Sequence, residues 1–224
     1  MKKIVIEITG DSPLLMHNPE QMRRGDQGGK KKIPSPEEEA AASRYLMPDG
    51  QTLALHADHL RQCIVGASSG FRIRGRETAV PYISGSLEIV PEVISLEKKD
   101  YVIDTRRAVV MRRGILRSRA SVFPWTARFE LHYDEEVFAE SFITGTLRDQ
   151  IFVKAGKAVG LLDYRPEKRG RFGRFHVTTW DMVQAIGLGE RVGMQPKPGG
   201  LVPGQAYDVT AQIVKRGRTK GKAR

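Results

Sequence analysis

Residues 160–177 read GLLDYRPEKRGRFGRFHV. Three glycines and five basic side chains surround two phenylalanines, and the run closes on alternating residues that read as a β-strand. Alternation sends Phe175 and Val177 to one face and Arg174 and His176 to the other, which gives Phe175 to the core and leaves Phe172 open. Glycine lets a backbone come close to a phosphate and expose its N–H groups. Gly160, Gly170 and Gly173 are therefore read as a phosphate-approaching turn, with Arg165, Lys168, Arg169, Arg171 and Arg174 as its charge. Phe172 is read as a surface for a base to stack on. The plainer reading is a long basic loop whose phenylalanines pack in the core.

What flanks this run sets the fold class. Residues 135–158 read as helical, first around Val137–Phe138 and then through Leu147, Ile151 and Ala155, with Gly145 a weak point. Residues 2–9 alternate Ile4, Ile6 and Ile8 against Lys3, Val5 and Glu7, and residues 126–133 alternate Ala127, Phe129, Leu131 and Tyr133 against Arg128, Glu130 and His132. Both are strand patterns. Leu60, Cys63, Ile64 and Ala67 recur at helical spacing, and Pro36 followed by three glutamates makes a favourable helix start. A turn is read at 48–51, a strand over 84–96, a short helix near 181–187 and a last strand in AYDVTAQIV. The order strand, helix, strand, strand, helix, strand predicts an α+β chain with the βαββαβ core of the ferredoxin-like or RNA-recognition-motif fold. Residues 1–214 then form one domain with long insertions, and 215–224 are a basic tail.

Charge narrows the ligand. The chain carries 37 Lys+Arg against 26 Asp+Glu, a net +11, which favours polyanions, nucleic acid before acidic membrane. A hydrophobic content of 40% is compatible with a packed core. Cys63 is the only cysteine, so no intrachain disulfide or cysteine-based zinc site forms, and no metal or other cofactor is expected. The apolar run in MKKIVIEITG is too short for a signal peptide and no stretch reaches membrane-spanning length, so a cytoplasmic protein is expected.

Positive charge also gathers elsewhere. Within 101–124, Arg106, Arg107, Arg112, Arg113, Arg117 and Arg119 punctuate apolar residues around Gly114. That predicts a β-hairpin projecting from the sheet, and arginine suits phosphate forks and base stacking. Six arginines in fourteen residues exceed what edge protection alone requires. The aperiodic loop 17–36 holds Arg23, Arg24, Lys30, Lys31 and Lys32, equally readable as a solvated charge run or as a segment that orders on nucleic acid. Arg72, Arg74 and Arg76 fall on one face at strand spacing.

Two motif spellings nearly match. Gly170-Arg171-Phe172-Gly173 has the GxxG of a KH loop but feeds a strand rather than a helix, and RFGRFHV has the glycine and aromatic positions of an RNP1 motif shifted. A third likeness fits the context. Val159-Gly160, a variable basic stretch, and Phe172-Gly173-Arg174 resemble the glycine-rich loop of the RAMP superfamily, which supplies backbone subunits of CRISPR effector complexes. Gly170 stands one residue further out than in the usual pattern. Leu60-Arg61, after a strand end and a polar cap, is similar to that family's start of the first helix. The resemblance covers the core elements and not the insertions. It implies a subunit that polymerises along single-stranded guide RNA, alongside other effector subunits and a complementary target strand, with residues 101–124 as a thumb. Some RAMP relatives process guide RNA with a histidine, for which His17 and His59 are the candidates; others cut target RNA with a loop aspartate, here Asp26 or Asp104. Binding without catalysis is the favoured expectation. A phage single-stranded DNA annealing protein and a metal-independent guide-RNA endoribonuclease stand as alternatives.

Overall fold

A computed structural model describes residues 1–19, 34–110 and 113–183. Arg23, Arg24, Asp26, Lys30, Lys31, Lys32 and Arg112, with the last strand and the basic tail, lie outside the described residues.

Strand β1 (Lys2–Gly10) is central because both its edges are paired. It runs antiparallel to β10 (Thr126–Tyr133) on one side and to β11 (Phe175–Val183) on the other, and β6 (Leu87–Val90) adds antiparallel beyond β10, for the order β11-β1-β10-β6. The period-two pattern does its work here. Ile4, Ile6 and Ile8 and, opposite them, Ala127, Phe129 and Leu131 are all buried on one face. Helix α2 (Ala57–Ala67), with Leu60, Cys63, Ile64 and Ala67 buried, belongs to the same core, as do the π-wound α4 (Phe142–Phe152) and α5 (Ala155–Val159). The opposite face carries Lys3 bonded to Glu130 at 3.1 Å, with Glu7 beside Arg128 and Glu88 beside His132. Its carboxylates, Glu7, Glu88 and Glu130, make it a poor surface for a phosphate strand.

A second sheet has three strands, β2 (Leu14–Leu15), β9 (Arg113–Val122) and β8 (Val102–Val110), and β8–β9 is the expected hairpin. Helix α1 (Pro36–Ala42) starts on a capping box in which Ser35 and Glu38 bond reciprocally, and it ends at a buried joint with this sheet. There Ser43 Oγ donates to the Ala40 carbonyl at 2.8 Å and accepts from the Ala120 N–H at 2.9 Å. Among the described residues there are also two small ladders: β3 (Ala54–His56) with β7 (Val93–Ser95), and β4 (Arg72–Arg74) with β5 (Glu77–Thr78). The mixed α+β expectation holds, with antiparallel sheets throughout.

Three sequence assignments change. The strand expected over 84–96 is helix α3 (Ala79–Ser86) followed by β6 and β7, divided at the cis Val90–Pro91 bond. Ala79 and Ile83, one turn apart, are buried, and that contact outweighs the strand-like local composition. Residues 135–138 form a turn and the helix follows it. Residues 181–183 continue β11, because Asp181, Met182 and Val183 still pair with Val5, Ile4 and Lys3. No helix among the described residues is long and apolar enough to cross a membrane.

Candidate nucleic-acid interface

The basic loop between α5 and β11 is built by close chain approach. Gly173 has φ +67°, donates its N–H to the Pro13 carbonyl at 2.8 Å and accepts from the Leu161 N–H at 2.9 Å. A Cβ on Gly170 would fall 1.8 Å from the Tyr164 carbonyl oxygen. The N–H groups of Gly160, Gly170, Phe172 and Gly173 bond respectively to the carbonyls of Ala155, Arg165, Tyr164 and Pro13. The expectation of glycine N–H groups free for phosphate is therefore corrected: those donors are spent folding the loop, and the glycines make room for backbone. Phe172 is corrected with them. It is buried to 7% exposure, with the edge of Tyr164 against it at 5.8 Å, so it supports the loop from beneath and Tyr164 is the exposed aromatic.

The loop and the hairpin meet. The Arg106 guanidinium on β8 sits 5.2 Å from the Tyr164 ring centre and 4.7 Å from that of Phe172. On β9, Arg119 pairs with Asp163 at 3.0 Å, and Leu15 of β2 bridges Asp163 by backbone. Arginine over an aromatic face is worth about 0.5–2 kcal/mol, more as water is excluded. A double-mutant cycle of Arg106→Ala and Tyr164→Ala, read by urea unfolding, should give a coupling of about 1 kcal/mol. Additive losses would mean the two elements touch without holding one another.

These contacts divide the candidate cations. Arg106 is bound by Asp104 at 2.5 Å, Arg117 by Glu39 of α1 at 2.8 Å and Arg119 by Asp163, so Arg106 and Arg119 build the joint with the loop and Arg117 ties the hairpin to α1. Asp104 is equally committed. Arg107 is exposed and lies over Gly114, Arg113 begins β9, and in the loop Arg165 is held by Glu167 at 2.7 Å. That leaves Arg107, Lys168, Arg169, Arg171 and Arg174 exposed and without a carboxylate partner among the described residues. Other candidates point elsewhere. Arg61 bonds to the Ser84 carbonyl, Arg74 to the carbonyls of Glu136 and Val137, and Arg72 to the carbonyl of Arg76. The one-face expectation for 72, 74 and 76 fails because Arg76 sits in the turn after Gly75, beyond the end of β4.

Sequence reasoning missed the neighbourhood of the two candidate histidines. His17, Tyr45, His59, Leu162, Asp163 and Arg165 line one cavity of about 200 Å³ at the foot of the loop. Tyr45 lies 4.8 Å from His59, ring centre to ring centre, and its hydroxyl donates to the His17 carbonyl at 2.7 Å. Burial pushes the His59 imidazole down to about 4, helped by His56; burial, then Arg119, lowers His17. Rings that stay neutral at pH 7 are poor proton donors to a leaving oxygen, which weakens the general-acid reading.

A stability effect follows from His59. Its folded-state value lies below the unfolded value near 6.5, so the unfolded chain binds more protons between the two. Its contribution is complete above pH 6.5 and is lost as pH falls towards 4. Discounted for partial exposure, the loss is on the order of 1–2 kcal/mol. His59→Gln should flatten the acid limb of a stability–pH curve across that window, and an unchanged limb would remove His59 as its source.

The arrangement defines an α+β chain with a cationic loop docked on a β-hairpin. Comparison with known proteins then adds the fold. No protein-family model matches the sequence, and no curated protein matches it. Among solved structures, a chain of the cryo-EM structure of the type III-B Cmr-beta bound to cognate target RNA matches with a TM-score of 0.55 at 13% identity. The match covers 82% of this chain and 61% of that one, so the likeness is one of fold and spans about three fifths of the neighbour's length.

Proposed function

We propose that this chain is a non-catalytic, single-stranded-RNA-binding subunit of a CRISPR-type effector complex, with a ferredoxin-like RAMP core, that repeats along a guide RNA. The observation that carries this reading is the joint at Arg106. One guanidinium packed on Tyr164 and Phe172 unites the loop with the hairpin, and the unpaired cations Arg107, Lys168, Arg169, Arg171 and Arg174 belong to those two elements. Exposed, unpaired arginine and lysine beside an exposed tyrosine suit a sugar–phosphate strand with unstacked bases. The antiparallel order β11-β1-β10-β6, with helices after β1 and after β10, supports the βαββαβ reading. The fold neighbour comes from a CRISPR complex solved with RNA, which agrees with this class of partner.

The test is purification from an expression host without added nucleic acid. The reading expects co-purifying material that RNase removes and DNase does not, and light-scattering masses in steps of one protomer as RNA is lengthened. DNase-sensitive material would favour the single-stranded DNA alternative. A monomer that cleaves repeat RNA without metal would favour the processing enzyme.

A further inference from the structure

We infer that the cavity walled by His17, Tyr45, His59 and Asp163 is a receptor for one unstacked nucleobase of the bound strand, an inference that rests on the RNA-binding reading above. Its position is the first reason. Asp163 and Arg165 are part of the basic loop itself, and Asp163 also holds Arg119 of the hairpin, so the cavity is walled by the same loop on which the proposed strand lies. Size is the second. About 200 Å³ falls short of the ~300 Å³ at which pockets for drug-sized ligands begin, and suits a single ring system.

The polar groups decide which ring system. The Nδ1 atoms of His17 and His59 are buried and have no hydrogen-bond partner among the described residues. A buried nitrogen without a partner costs about 1–3 kcal/mol, which a ligand's donor or acceptor recovers once the imidazole turns to present it to the cavity. A phosphate fits badly. Asp163 brings a carboxylate to the wall, and the Arg165 guanidinium is already held by Glu167 and, at 3.0 Å, by the Leu162 carbonyl. A metal ion fits no better, because no group of three or more His, Cys, Asp or Glu among the described residues is arranged to hold one. An uncharged heterocycle with both donors and acceptors, set against the rings of Tyr45 and His59, uses every feature present.

The experiment titrates the protein separately with adenosine, guanosine, cytidine, uridine and ribose 5-phosphate. The readout is the imidazole proton signals of His17 and His59, assigned with His17→Gln and His59→Gln variants. At least one nucleoside should shift both histidines saturably, and ribose 5-phosphate should not. Saturating single-stranded RNA should move the same signals and suppress the nucleoside response. His59→Phe, which fills the cavity with carbon, should abolish the nucleoside response and weaken RNA binding about tenfold. RNA that binds with its full salt dependence while neither it nor any nucleoside moves these signals would overturn the base receptor and leave the interface standing. A response to ribose 5-phosphate alone would make this a phosphate site and also overturn it. No RNA binding at all would overturn both readings.

Discussion

Replacing Lys168, Arg169, Arg171 and Arg174 together with glutamine is expected to lower affinity for single-stranded RNA by about two orders of magnitude at physiological salt. Each phosphate contact to a single strand contributes about 0.7 to the slope of log affinity against log salt, so losing four should flatten that slope by roughly 2.8. The same figure evaluated near 0.15 M gives the affinity loss. These four side chains suit the test because none pairs with a carboxylate among the described residues and all are exposed. Glutamine keeps the stem of each, so the unfolding midpoint should move little. A slope unchanged within error would mean that RNA, if bound, is held by other groups. Arg106, Arg117 and Arg119 are poorer probes, since removing any of them takes the guanidinium from Asp104, Glu39 or Asp163 and disturbs how the hairpin is held to the loop or to α1.

The largest stability effect is expected at Gly173. An alanine Cβ there would stand 2.0 Å from the Leu161 carbonyl oxygen and 2.7 Å from its nitrogen, at a φ of +67°. The left-handed backbone alone costs a non-glycine residue about 1–2 kcal/mol. The steric conflict is with backbone, so relief requires moving the chain and giving up the bonds to Pro13 and Leu161, each worth about 1 kcal/mol. Gly173→Ala should therefore destabilise by about 3–4 kcal/mol in urea unfolding. Gly145→Ala, where nothing lies within 4 Å of the new methyl, serves as the control and should be neutral or slightly stabilising. A Gly173→Ala loss below about 1 kcal/mol would show that the loop is loose rather than built on close approach.

The two outcomes test different halves of one design. The positions of Gly160, Gly170 and Gly173 were legible in the sequence, and so was the charge between them. Their function was not, because glycine spacing marks where backbone comes near something without saying whether that is phosphate or another carbonyl. Likewise β1, β10 and α2 were legible from periodicity, since each buries one continuous face. Helix α3 was not: the strand read over 84–96 ran back into its last residues, and the burial of Ala79 and Ile83 that fixes the helix is a matter of tertiary packing. The hairpin was legible from arginines alternating with apolar residues. Its docking was not, since Asp163 and Tyr164 look incidental in a basic run until Arg119 and Arg106 are set against them. The cavity needed the same step, since His17, Tyr45 and His59, far apart in sequence, meet one another and Leu162, Asp163 and Arg165 only in the folded chain.

In the proposed function a strand of RNA is held by the loop and the hairpin as one surface. Photocross-linking with single-stranded RNA carrying 4-thiouridine, followed by mass-spectrometric mapping, reads that directly. Adducts are expected on both the segment from Tyr164 to Arg174 and the faces of β8 and β9 around Arg107. Adducts confined to one of the two, or gathered on α2 and α4, would contradict it.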